Sequence, residues 1–170
     1  MFRPLEENKD DYDLAWAMYM GYGVAGVCWR GPSIFEGPGS KAVVKNWIAF
    51  YKRYRDTLTS EMLIHLRRPD GQSIDAVLHA KADGAAEKGL VFAFNPTDHP
   101  ITANVSIDLY YTGLETTATL TQGSVDSSLN GLAAGGGDSG AAVVHTLRRD
   151  YTIVLEMTIG ASGYAWWTVN

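Results

Sequence analysis

Trp29 and Arg30 follow directly on the apolar run Val24–Cys28, and Glu36 lies a few residues further on. These residue types suit ligand chemistry. An Arg presents a planar fork of donors that holds hydroxyls or a carboxylate, and a Trp ring offers an apolar face on which a sugar can stack. A carboxyl such as Glu36 serves as acid or base when its surroundings tune its pKa. Cleaving a glycosidic bond takes two carboxylates about 5 to 9.5 Å apart, however, and no partner for Glu36 stands nearby in the sequence. The structural alternatives are an Arg paired with a neighbouring carboxylate, a Trp capping a core, and a solvated loop Glu. Position carries the case for function: ligands gather at the carboxyl ends of buried parallel strands. Trp29, Arg30 and Glu36 are therefore the candidate substrate-binding residues, and no residue is assigned as catalytic.

Other chemistries find less support. His65, His79, His99 and His145 show no metal-ligand spacing, so no metal site is expected. Gly135–Gly137 lies in a polar stretch without the strand and helix a phosphate cradle needs, and no cofactor motif occurs. The lone cysteine, Cys28, sits in an apolar run and reads as a buried, inert thiol. Asp70 and Asp75 suit a turn and the polar side of a strand.

The elements that must position Trp29 and Arg30 read as helix, strand, loop and long helix. Leu14, Ala15, Met18 and Tyr19 recur at helical spacing over 10–22, with Asp10 or Asp11 as N-cap and Gly21 and Gly23 as the stop. Val24–Cys28 suits a strand buried on both faces. Ser40 is a natural N-cap for a helix over 41–58. Val44, Trp47, Ile48, Tyr51, Tyr54 and Leu58 form its apolar stripe, and its length would be roughly 27 Å. One strand makes no parallel sheet, so residues 1–60 are expected to be the tail of a larger α/β domain.

From Met62 the period changes to two. Pro69-Asp70-Gly71 marks a turn between two short strands, GLVFAFNP is a continuous apolar strand, and ITANVSIDL alternates strictly. TTATLTQ, AAVVHTL, YTIVLEMTI and GYAWWTV complete six to eight strands, the pattern of an antiparallel β-sandwich over 61–170. The Gly/Ser-rich stretch 123–140 is expected to be a flexible loop within it. Trp166 and Trp167 must point to opposite faces of the last strand.

Composition narrows the function classes. With 46% hydrophobic and 19% charged residues, the 170-residue chain has the balance of a folded protein rather than a disordered one. A net charge of −5 with few clustered basic residues argues against nucleic acid. No apolar run reaches the ~20 residues of a membrane span, and the first residues lack the basic start and apolar centre of a signal peptide. The cellular compartment stays open.

The segments WRGPSIFEGP, VVKNWIAFYKRYRDTL, IHLRRPDGQSIDAVLH, GLVFAFNPT and LYYTGL, taken in order, resemble the C-terminal part of α-galactosidase-like glycoside hydrolases. In that family a (β/α)8 barrel is followed by an antiparallel β-sandwich. The resemblance implies an α+β chain: an antiparallel β-sandwich preceded by the last helix-strand-helix elements of an incomplete (β/α)8 barrel. It makes Val24–Cys28 the eighth strand, places Trp29 and Arg30 at the sugar-binding mouth, and implies a carbohydrate ligand. The first seven strands, where such barrels hold their catalytic carboxylates, are absent from this chain. A fragment without catalysis of its own is therefore expected, with the missing barrel portion or a partner chain covering the helix 41–58. The alternatives are a non-catalytic carbohydrate-binding module using Trp166 or Trp167, and a structural domain.

Overall fold

In the computed structural model, residues 4–24, 34–84, 86–123, 125–126, 131–132 and 138–170 are described. Two helices come first, α1 (Lys9–Gly21) and α2 (Pro38–Leu58), followed by strands β1 (Met62–Arg67), β2 (Asp75–Ala80), β3 (Gly89–Phe94) and β4 (Ile101–Asp108). A 3-10 turn, Tyr110–Thr112, leads to β5 (Thr117–Gly123). Next come the short β6 (Val125–Asp126) and β7 (Gly131–Leu132), then β8 (Asp138–Thr146), β9 (Thr152–Ile159) and β10 (Tyr164–Val169). The fold class is α+β, with an antiparallel sandwich, as expected.

The main sheet runs β1-β2-β3-β10-β5-β8 and is antiparallel throughout. β4 and β9 pair in full register from Ile101–Ile159 to Asp108–Thr152 and cover one face of it. Their inward residues, Val105 and Ile107 against Ile153, Met157 and Ile159, are those the alternation predicts. The two helices cover the other face. Every residue of β2, β3 and β10 is buried although none of these strands is parallel, and β3 reads as an unbroken apolar run.

The two tryptophans of β10 do part company. Trp166 is fully buried on the helix side, 5.0 Å from Phe50 and 5.3 Å from Tyr54 between ring centroids. Trp167 faces the sandwich core. Neither is a solvent-facing platform, which removes them as the sugar-holding residues of a binding module. Gly123 lies directly under Trp166: a Cβ there would collide with the ring atoms Cε2 and Cζ2, so any side chain would displace the indole.

Four expectations need correction. The long helix begins at Pro38 rather than Lys41, with Gly37 as N-cap and Ser40 inside the first turn. Pro at the first helical position is pre-set for helix and lacks the N–H that would be left unpaired, which extends the start. The buried stripe of α2 is Val43, Trp47, Phe50, Tyr54 and Leu58, while Ile48 and Tyr51 are 41% and 36% exposed. On α1 the inward face is Asp13, Ala17 and Gly21, with Met18 exposed, because a polar residue occupies a core position. The interval 123–140 carries β6, β7 and the start of β8, and its remaining residues lie outside the described ones.

Replacing Trp166 with Ala should cost about 3–5 kcal/mol in chemical denaturation, the range for truncating a large buried aromatic. Gly123→Ala should also destabilise the fold, although it removes no contact, because the new methyl displaces the same ring.

Candidate functional site

The segment carrying Trp29 and Arg30 leaves α1 at Val24 and returns at Ile34. Both residues, with Cys28 and the rest of 25–33, lie outside the described residues. What the structure builds is the pair of anchors that fix where this segment starts and stops.

At the start, α1 closes with paired back-bonds: the Val24 N–H donates to Tyr19 O at 2.9 Å and the Gly23 N–H to Met20 O at 3.2 Å. Gly23 takes φ +65°, the left-handed conformation this helix stop requires. Val24 thus belongs to the helix cap and is 54% exposed, rather than opening a buried strand. Ala25–Cys28, the remainder of that expected strand, lie outside the described residues.

Beneath this cap lies a cluster of titratable side chains from β1 and β2. Tyr22 stacks on Phe94 at 5.4 Å and meets the His65 ring at 6.1 Å. His79 is buried, with Nε2 3.0 Å from the Gly21 carbonyl, so the neutral ring donates there through Nε2–H. Its Nδ1 is buried without a hydrogen-bond partner among the described residues. Burial holds the His79 pKa below its ordinary 6.5. Asp75 is buried on this face rather than solvated as expected, and burial, followed by the charge of Asp70, raises its carboxyl. Burial and the charge of Asp75 raise the Tyr22 phenol in turn. Asp70 sits in the β1–β2 turn, held down to about 2 by the Ser73 hydroxyl and the N–H groups of Gln72 and Ser73.

At the return, three ties converge. Tyr12 donates its hydroxyl to Ile34 O at 2.8 Å, and the Leu5 N–H donates to Glu36 Oε2 at 2.6 Å. Glu36 is exposed, and this contact joins the N-terminal segment to the loop. The third tie is Glu6, which the sequence reading missed. Its carboxylate accepts from Gly39 N–H (2.8 Å), Ser40 N–H (2.8 Å) and the Ser40 hydroxyl (2.7 Å). A carboxylate set on the free amides of a helix start satisfies them and complements the helix dipole. A Cβ at Gly37 would lie 2.5 Å from Glu6 Cδ, so a glycine there lets the carboxyl approach.

A buried clamp holds both helices to the sheet. Asp13 accepts from Trp47 Nε1–H at 2.7 Å through one oxygen and from the Tyr164 hydroxyl at 2.8 Å through the other. At the far end of α2, the Thr57 hydroxyl donates to Glu87 at 2.6 Å and Lys81 pairs with Asp56 at 2.8 Å. No local pattern could have revealed Glu6 or Asp13, since their partners lie more than thirty residues away.

Comparison with known proteins bears on the fold. No protein-family model matches the sequence, and no curated protein matches it. Among solved structures, one from Bacillus halodurans, provisionally assigned as an α-N-acetylgalactosaminidase, aligns with 95% of this chain at a TM-score of 0.51 and 11% identity. One from Bacteroides fragilis, provisionally assigned as an α-galactosidase/melibiase, aligns with 95% at 0.52 and 10%. The chain spans 31% and 28% of those two chains, less than a third of each. At this identity the likeness is one of fold.

Two pH effects follow. The Ser40 N–H, then its hydroxyl and the Gly39 N–H, hold Glu6 below its ordinary 4.5. Its contribution to stability is therefore fully present above pH 4.5 and is lost as pH falls through the lower folded value. Glu6→Gln should flatten that acid limb in urea midpoints measured against pH. His79 is neutral in the fold, so below pH 6.5 the unfolded state binds a proton the native state declines; stability should fall there, and His79→Phe should remove that slope.

Proposed function

We propose that this chain is the C-terminal segment of a glycoside hydrolase, comprising the last barrel elements (residues 1–60) and an accessory β-sandwich (61–170). The observation that carries the reading is the fold likeness itself. Nearly the whole chain matches less than a third of two larger structures, each provisionally assigned to cleavage of α-linked galactose-type sugars. In this reading Trp29 and Arg30 face the sugar-binding mouth, with Glu36 at its rim, and the catalytic carboxylates belong to barrel strands that precede this chain. The exposed apolar side chains of the helix layer, Met18, Ile48 and Tyr51, are then the surface on which that barrel portion packs.

Supporting this, the sheet already covers the other side of α2, so a single outer stripe is left for a neighbour. The reading assigns the chain no turnover of its own, because cleavage needs two carboxylates held across the scissile bond.

Purified residues 1–170 should release no nitrophenol from aryl α-galactosides or α-N-acetylgalactosaminides, while a longer gene product should. Within that longer protein, Arg30→Ala should weaken substrate binding by roughly ten-fold or more, the loss expected for a charge-assisted hydrogen bond. Robust turnover by residues 1–170 alone would overturn the assignment.

A further inference from the structure

Far from Trp29 in sequence, the 3-10 turn after β4 presents two tyrosines to solvent. Tyr110 is 59% exposed and Tyr111 45%. Tyr110 meets Tyr111 at 5.2 Å and Tyr151 at 5.4 Å, in both cases edge to face, so no ring is stacked flat on another. With Glu115 and Gly113 they line a cleft of about 400 Å³. A second cleft of about 450 Å³, bordered by Ser60, Glu61, Lys81 and Asp83, shares Tyr111 and Ala82 with the first. The two therefore adjoin at Tyr111 as one groove. Each lies within the ~300–1,000 Å³ usual for small-ligand sites.

The mount is rigid. The Tyr110 N–H donates to Asp108 Oδ1 at 3.0 Å, and the fully buried Thr112 donates its hydroxyl to Leu109 O at 2.6 Å. Tyr151 has φ +61°, a left-handed conformation that disfavours a bulky side chain. Two bonds hold it there, its N–H to Arg148 O at 2.9 Å and the Leu109 N–H to its own carbonyl at 3.0 Å. A glycine would meet that backbone without strain. A tyrosine kept at such a position, its ring set against Tyr110, points to a use for the ring.

We propose that this groove is an oligosaccharide-binding site, separate from the mouth assigned to Trp29 and Arg30. Open tyrosine rings offer flat apolar faces to the C–H faces of sugar rings. Glu61, Asp83 and Glu115 accept from sugar hydroxyls, and Lys81 donates to them. The acidic rim disfavours nucleic acid and anionic lipid. Because hydrogen bonds already hold the backbone that carries the rings, no loop has to be ordered when a sugar lands on them. The choice of a glycan over a basic peptide rests on the glycoside-hydrolase reading above.

The test is calorimetric titration of residues 1–170 with raffinose, a galactomannan-derived pentasaccharide, cellopentaose, maltopentaose and, as a contrast, a lysine-rich peptide. At least one oligosaccharide should bind saturably. Tyr110→Ala and Tyr111→Ala should each weaken it by about ten-fold with unchanged thermal unfolding, as expected for losing one stacked ring at an exposed position. Tyr151→Gly should weaken binding while leaving the melting temperature equal or higher, which a purely structural tyrosine would not do. Trp29→Ala/Arg30→Ala should leave binding intact. Absence of binding to every oligosaccharide, binding that survives both tyrosine changes, or binding of the peptide alone overturns the groove. None of those results touches the aryl-glycoside comparison, which tests the hydrolase reading separately.

Discussion

Strands β2, β3 and β10 have no solvent face, and the rest of the molecule answers to that constraint. A six-stranded antiparallel sheet whose central strands are buried on both sides needs cover on both sides. The β4–β9 ribbon supplies one cover and the helices the other. The helix layer is thus part of the same packing problem as the sandwich: Trp166 projects into it, Phe50 and Tyr54 close around that ring, and Trp47 packs against Phe50. Burying several rings of this size is among the largest apolar contributions open to a chain of this length.

Apolar cover alone leaves the helices free to slide, and the polar ties set their position. Asp13 joins a residue of each remaining layer element, Trp47 of α2 and Tyr164 of β10, through its two oxygens. Thr57 and Asp56 fix the opposite end of α2 to the β2–β3 connection and to Lys81. Glu6 then fastens the N-terminal segment to the start of α2. The buried bonds among these, those of Asp13 and of Thr57 with Glu87, contribute modestly when satisfied and cost heavily when broken, which makes them better at specifying an arrangement than at stabilising it.

Much of the sheet was legible in the sequence because alternation is a local signal. ITANVSIDL and YTIVLEMTI announce their inward faces residue by residue, and Pro69-Asp70-Gly71 announces its turn. The helices were legible in existence but not in phase. Hydropathy could not place Asp13 in the core, because only a tryptophan and a tyrosine distant in sequence make it acceptable there. It also favoured Ile48 and Tyr51 over Phe50, since the choice among neighbouring apolar faces belongs to the sheet below. Of the expected site, Glu36 is placed at the Leu5 contact, and Trp29 and Arg30 lie outside the described residues. The tyrosine groove escaped notice because Tyr110 and Tyr151 lie on either side of a long stretch of chain and are brought together by the β4–β9 pairing and the Leu109–Tyr151 bond.

The place of β10 in the strand order has a consequence for how the molecule assembles. It lies between β3 and β5, yet it follows both in the chain. During synthesis the β1–β2–β3 meander and the β5–β8 pair emerge as separate ribbons, each with an unsatisfied edge, and they stay separate until β10 is inserted between them. The sheet therefore closes late, through contacts far apart in sequence, which makes folding slow and leaves the open edges exposed to wrong partners in the meantime.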